Sequence, residues 1–411
     1  LRFRDSGRQV LHPECAPEGV SRLQLLQGQR SGHAGFCCGA VQVRILSFVG
    51  FNALWGKHLP ANVLDLEDGP SVGGGEEAGL RTAVGLRELG HEVDLFWYGR
   101  PGVWKGVGFF SLADPLYSKI VGEKWDTILS WSAIRPLEYA RPGVRRIFCQ
   151  QLNDMHLLGD FSAIDCVVSP SLEHAKQLRG WGWDGRQAVV HNGVVPEVYA
   201  DAPAWDERPY DVGYWSSPDR GLHHLLRAWP FVTAQEPRAR LHVFYEVKRY
   251  LDMIRMLPAS YYGERGQTVG QLVLERMHDP TVIFHGQVPR RKLAKIQKQC
   301  RVHCYPYDPL GWTEGFATSV AQGLAAGCLV MSMPMDALPS LYGNGIYWMR
   351  ELDFMDRDYP RLLAQRIVQG LRGDLPNQDT IRKRGTQIGL SYTWDAAALM
   401  MEKACRGENW F

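Results

Sequence analysis

Two rounds of strand–helix alternation, separated by one polar, proline-bearing stretch, constrain this chain more than any other feature. In the first round Val43–Val49 reads as a strand, and Gly73-Gly74-Gly75-Glu76-Glu77 opens an amphipathic segment that runs to Leu89 and stops at Gly90. Short apolar runs follow at Glu92–Trp97, Thr127–Trp131, Arg146–Gln150, Cys166–Ser169 and Ala188–Val190. Pro196–Pro209 is aperiodic and reads as a linker. The alternation then restarts with Asp211–Trp215, Arg240–Tyr245, Val282–His285, Val302–Tyr305 and Cys328–Met331. Strands that alternate with helices form a parallel sheet covered on both faces. The expected architecture is α/β: two doubly wound, Rossmann-like domains facing a cleft, spanning residues 41–200 and 208–390. A last helix within 391–411 is expected to cross back onto the first domain.

Length supports two cores, because 411 residues exceed the size at which one hydrophobic core keeps growing. The 46 basic and 44 acidic side chains leave a formal charge of +2, which carries no nucleic-acid footprint. No run approaches the roughly 20 apolar residues of a membrane-spanning helix. Residues 1–40 mix Arg, Gly, Pro and Cys (Cys15, Cys37, Cys38) without periodicity or the order of a secretory signal. They read as a disordered lead-in or non-native extension. The nine cysteines are scattered and lack zinc-like spacing, which suits a reducing cytoplasm and no structural metal.

The segment with most chemical content runs from Val302-His303-Cys304-Tyr305-Pro306 through Thr313-Glu314-Gly315-Phe316-Ala317-Thr318 to Gly327. A strand ends, a loop carries one acid, and a helix of small residues is expected to begin near Gly315. Such an N-terminus presents free N–H groups and partial positive charge to a phosphate. Gln322 lies a little over two turns beyond Glu314. Read without a ligand, Glu314 is a helix cap and Gln322 a surface amide.

This run resembles the signature of retaining GT-B glycosyltransferases of family four: a Glu, seven residues, a second Glu, a small-residue helix and a Gly before the last strand. The resemblance implies that Glu314 contacts the donor sugar, and that Gly315, Phe316, Ala317 and Thr318 border the donor. Gln322 stands where the second Glu holds the ribose hydroxyls, and an amide forfeits the charge-assisted part of that contact. Asp211–Leu222 resembles the family's opening of the second domain, where two cations approach the diphosphate. Arg220 fills the later position, with Ser217 in the same turn, while Tyr214 or Trp215 falls where the earlier Arg is expected. The apolar residues Leu222, Leu225, Leu226 and Trp229 leave Arg220 as the residue needing a partner.

Gly73, Gly74, Gly75 and Glu76 resemble the family's first-domain glycine loop; about twenty residues separate them from the first strand, so they are not a dinucleotide fingerprint. His191-Asn192-Gly193-Val194 resembles the family's Asn-Gly-Val turn beside the cleft, which puts Asn192 at the acceptor or phosphate loop. His156 follows another first-domain strand, where related enzymes carry a histidine near the donor sugar. Arg290–Lys298 is a basic run with Leu293 and Ile296 turned inward. Its cations read as solvated, or as attracted to an anionic membrane surface bearing a lipid-linked acceptor.

The resemblance thus implies a cytoplasmic, metal-independent hexosyltransferase. It would move a sugar with retention from a nucleotide diphosphate sugar to a glycan, lipid-linked or small-molecule acceptor. No cofactor is implied, since cations such as Arg220 and helix dipoles offset the leaving diphosphate. An epimerase of the same fold and a non-catalytic nucleotide-sugar-binding protein are the alternatives.

Overall fold

The computed structural model describes residues 42–49, 73–97, 101–112, 120–131, 133–151, 161–256, 259–309 and 311–411. Its first half carries β1 (Arg44–Val49), β2 (Glu92–Trp97), β3 (Gly102–Trp104), β4 (Val107–Ser111), β5 (Thr127–Trp131), β6 (Arg145–Cys149), β7 (Cys166–Ser169) and β8 (Arg186–Val189). These form one sheet in the order β3-β4-β2-β1-β5-β6-β7-β8. Only β3 runs antiparallel to its neighbour. The second half carries β9 (Asp211–Tyr214), β10 (Arg240–Val243), β11 (Val282–Phe284), β12 (Val302–Tyr305), β13 (Leu329–Ser332) and β14 (Tyr347–Trp348). Their order, β11-β10-β9-β12-β13-β14, is parallel throughout. Both sheets reverse direction at the first strand of their half, which opens a crevice at the carboxyl ends of the strands there.

Each sheet has its own core. Ile45, Leu95, Leu129, Ile147 and Ala188 anchor one, together with Ala83 and Leu86 from the Gly74–Glu88 helix. The second forms around Val212, Leu241, Val302 and Leu329, covered by Leu222, Leu225, Leu226 and Trp229 of the Leu222–Gln235 helix. All four of those covering side chains are fully buried, the outcome of apolar residues spaced along one helix face. The terminal helix, Trp394–Arg406, adds Trp394, Ala397, Met401 and Ala404 to the first core and packs on the Gly74–Glu88 helix. The chain returns to the first half at Tyr392 and Thr393, where Val194 N–H donates to Tyr392 O at 2.8 Å and Val194 bridges Thr393. The stretch 196–209 is not wholly irregular: Pro196–Tyr199 and Trp205–Glu207 are 3₁₀ turns.

Gly221 joins β9's loop to its helix at φ +116°, and a Cβ there would lie 2.1 Å from Pro306 O. Gly182 has a similar φ of +101° but open space around it. Gly221→Ala is therefore expected to cost about 2–4 kcal/mol, backbone strain plus a steric contact, and Gly182→Ala about 1–2 kcal/mol from strain alone. Urea unfolding midpoints check this; equal losses would contradict it.

Candidate active site

Glu314 sits in the loop between β12 and the Thr318–Ala325 helix, its side chain 14% exposed. Tyr305, the last residue of β12, donates its hydroxyl to Glu314 Oε1 at 2.7 Å. Burial pushes the Glu314 carboxyl up, while Arg220 and the Tyr305 hydroxyl pull it down without fully offsetting burial. Arg220 Nε stands 4.0 Å from Glu314 Oε1 and 3.4 Å from Asp219 Oδ2. Burial lowers the Arg220 pKa, but the Asp219 and Glu314 carboxylates more than reverse that and hold the guanidinium charged. Arg220 thus has protein partners, a difference from its sequence reading, which left it unpaired. The partners lie in its own turn and across the sheet in the β12 loop.

Asp336 fixes the loop from outside. Its Oδ2 accepts the backbone N–H groups of Thr313 at 2.9 Å and Glu314 at 3.0 Å, and a hydroxyl from Tyr307. Nothing in the sequence pattern marked Asp336, which acts through backbone atoms more than twenty residues away. The helix begins at Thr318, not near Gly315, because Ala317 takes a left-handed conformation (φ 54°, ψ 71°). Phe316 is buried against Tyr342 and Tyr392, so its ring is core and only its backbone borders the loop. Ser217 belongs to the Arg220 turn: its carbonyl accepts from Tyr214 OH at 2.6 Å and its hydroxyl donates to Asp219. Tyr214 is fully buried, so it supplies that hydrogen bond and no charge.

Across the cleft, the Gly74–Glu88 helix begins opposite the Thr318–Ala325 helix: a Cβ built on Gly74 would lie 3.7 Å from Thr318 Oγ1. The first residues of two helices thus touch, with Gly73, Gly74, Gly75 and the acidic Glu76 at the first-half end. Gln151 packs beside Gly75 and accepts from Asn192 Nδ2 at 3.0 Å, so Asn192 holds the loop wall. His191 bonds Pro170 O at 2.8 Å, and burial lowers its pKa. The two halves meet tightly at Gly315, where a Cβ would be 2.4 Å from His174 Nδ1. His174 also packs on Trp312, whose indole lies edge-on to Trp181. His156 lies outside the described residues.

Gln322 is buried and bound to protein: Gln297 Nε2 donates to its Oε1 at 3.2 Å. The basic run is likewise not uniformly solvated. Leu293 is buried and Arg291, Lys292 and Lys295 are exposed, but Arg290 pairs with Glu77 of the first half and Lys298 with Asp201. Among the described residues one group of side chains could ligate a metal, His223, His224 and Asp308. Arg265 Nη2 already holds that Asp308 carboxylate at 2.8 Å.

Burial drives His174 down to about 3, and His224 and His303 to about 4. All three are bases depressed below their unfolded value of about 6.5, so their contribution is complete above that value and is lost as pH falls through the folded values. The melting temperature is expected to decline between pH 6.5 and about 4; a flat profile across that window would contradict these assignments.

This architecture, two parallel-sheet domains with a cleft at their strand ends, is the GT-B fold. The chain is similar to sucrose-phosphate synthase from Thermosynechococcus elongatus, with TM-score 0.61 and 16% identity over 89% of this chain and 98% of that one. It is similar to HepE of Anabaena, solved in complex with UDP and glucose, with TM-score 0.62 and 14% identity over 89% and 100%. AviGT4, a glycosyltransferase involved in avilamycin A biosynthesis, gives TM-score 0.57 and 16% identity over 90% and 100%. At these identities the likeness is one of fold. No protein-family model matches the sequence, and no curated protein does.

Proposed function

We propose that this chain is a glycosyltransferase that moves a hexosyl group from a nucleotide diphosphate sugar to an acceptor hydroxyl, with retention at the anomeric carbon. One observation carries the reading: the first residues of the Gly74–Glu88 and Thr318–Ala325 helices meet, Gly74 beside Thr318, with Arg220 and Glu314 on the second-half side. The helix N-termini supply N–H donors and positive potential for a diphosphate, and Arg220 adds a planar fork of donors. Preorganised donors of this kind stabilise the charge that develops on a leaving diphosphate, so no metal is needed for that task. Glu314, one loop away, receives hydroxyls of the transferred sugar. The sugar or lipid-linked acceptor enters from the side of Gln151 and Asn192. The similar fold of HepE, solved with UDP and glucose, supports a nucleotide-sugar donor. The six described cysteines are all free thiols, which suits a reducing cytoplasm. Among the described residues no helix is long and apolar enough to cross a membrane.

The test is release of free nucleotide from a panel of UDP-, GDP- and ADP-sugars with candidate acceptors. Release that depends on an added acceptor supports transfer. A sugar re-added in inverted form at one carbon identifies an epimerase. Thermal stabilisation by a nucleotide without turnover identifies a binding protein.

A further inference from the structure

Two indoles, one from each half, form an open corner beside the Glu314 loop. Trp181 follows the last residue of the Leu172–Gly180 helix and is 42% exposed, an unusual setting for so large an apolar side chain. Trp312 stands edge-on to it, with ring centroids 6.2 Å apart and planes at 85°. The backbone leaves this corner room. Gly180 and Gly182 flank Trp181, Gly311 precedes Trp312, and a Cβ on any of the three would meet no atom within 4 Å.

Trp312 is held from two sides. His174 and Trp181 lie seven residues apart, about two helical turns, so they share one face of that helix. His174 is fully buried there, neutral because burial drives its pKa to about 3, and packs on Trp312 with ring centroids 4.9 Å apart. From the other side Asp336 accepts the N–H of Thr313, the next residue in the chain. The corner also adjoins the site. Trp312 and Glu314 are two residues apart, at most about 7 Å along the backbone. His174 touches both ends of that span, since a Cβ on Gly315 would lie 2.4 Å from its Nδ1. Pro170 lies 2.9 Å from the same Cβ, and its carbonyl accepts from His191, which carries the wall on to Asn192.

A pyranose ring matches such a corner. Its axial C–H hydrogens carry partial positive charge and meet the negative face of an indole, while its hydroxyls stay in water. The chain on either side of Trp181 is polar, with Arg179 and Asp184 exposed, which suits a ring rimmed by hydroxyls and not a hydrocarbon chain. We infer that Trp181 and Trp312 form a stacking platform for a pyranose of the acceptor, so that the acceptor is a carbohydrate seated beside the Glu314 loop. This rests on the glycosyltransferase reading above and names its acceptor class.

Nucleotide release by the full chain from UDP-, GDP- and ADP-sugars tests this, with maltotriose, cellotriose, triacetylchitotriose and dodecyl phosphate as acceptors. At least one trisaccharide is expected to drive release. Trp181→Ala is then expected to raise the KM for that trisaccharide about fivefold, the worth of one ring contact, with the donor KM within twofold of the native chain. Trp181→Phe recovers part of the loss. Because the indole is exposed, the melting curves of both variants stay close to that of the native chain. Release driven by dodecyl phosphate and by no trisaccharide overturns the inference and leaves the functional reading intact. So does a trisaccharide KM within twofold of native in Trp181→Ala, or a donor KM that rises along with it. Absence of acceptor-dependent release with every pairing overturns the functional reading and this inference together.

Discussion

Glu314→Gln is expected to lower turnover at least tenfold with the fold intact. The amide matches the carboxylate in shape and still offers an oxygen to the Tyr305 hydroxyl, so the β12 loop keeps its geometry. What it loses is the negative charge facing Arg220 and the charge-assisted hydrogen bond to a sugar hydroxyl, about twice as strong as a neutral one. Tenfold in rate is about 1.4 kcal/mol of barrier, within what one such contact supplies. Burial already disfavours the Glu314 charge, so the neutral replacement places no strain on folding. Nucleotide release at saturating donor, with a melting curve beside it, checks the prediction. Unchanged turnover would remove Glu314 from the site.

Arg220→Ala is expected to weaken nucleoside diphosphate binding by about 1.5–3 kcal/mol, the range for a charged hydrogen bond, or roughly 10- to 150-fold in dissociation constant. The substitution also strips Asp219 and Glu314 of their shared cation, so a loss of stability accompanies the loss of affinity. Arg220→Lys separates the two effects. It keeps the charge against both carboxylates but lacks the planar fork, so stability returns further than affinity does. An Arg220→Ala dissociation constant equal to that of the native chain would refute the clamp.

Much of this architecture could be read from residue order, because a strand in a parallel sheet is a short apolar run between helical segments. Val302–Tyr305 and Cys166–Ser169 are such runs, and the structure gives them those bounds. The β3–β4 hairpin escaped that reading. Its two-residue turn is Lys105-Gly106, with φ of +47° and +78°, and a lysine in the first position hides the usual Asn-Gly or Asp-Gly signal. The helix after Glu314 starts three residues later than its glycine suggests because Ala317, a residue with no turn preference, takes the left-handed conformation. The site was legible where its residues lie on one segment, as Glu314 to Thr318 do. It was illegible where chemistry comes from contacts across the fold. Asp336 under the Glu314 loop, Gln297 against Gln322, and Glu77 against Arg290 join residues whose spacing in the chain carries no pattern.

The central claim is that a nucleotide diphosphate lies at the start of the Thr318–Ala325 helix, beside Arg220. A crystal structure of the native chain with the best-bound nucleoside diphosphate tests it most directly. The expected result is phosphate oxygens within hydrogen-bond distance of Arg220 and of backbone N–H groups at the start of the Thr318–Ala325 helix, with Gly74 beside them. A diphosphate bound elsewhere on the chain, with Arg220 still turned to Asp219 and Glu314 alone, would contradict it.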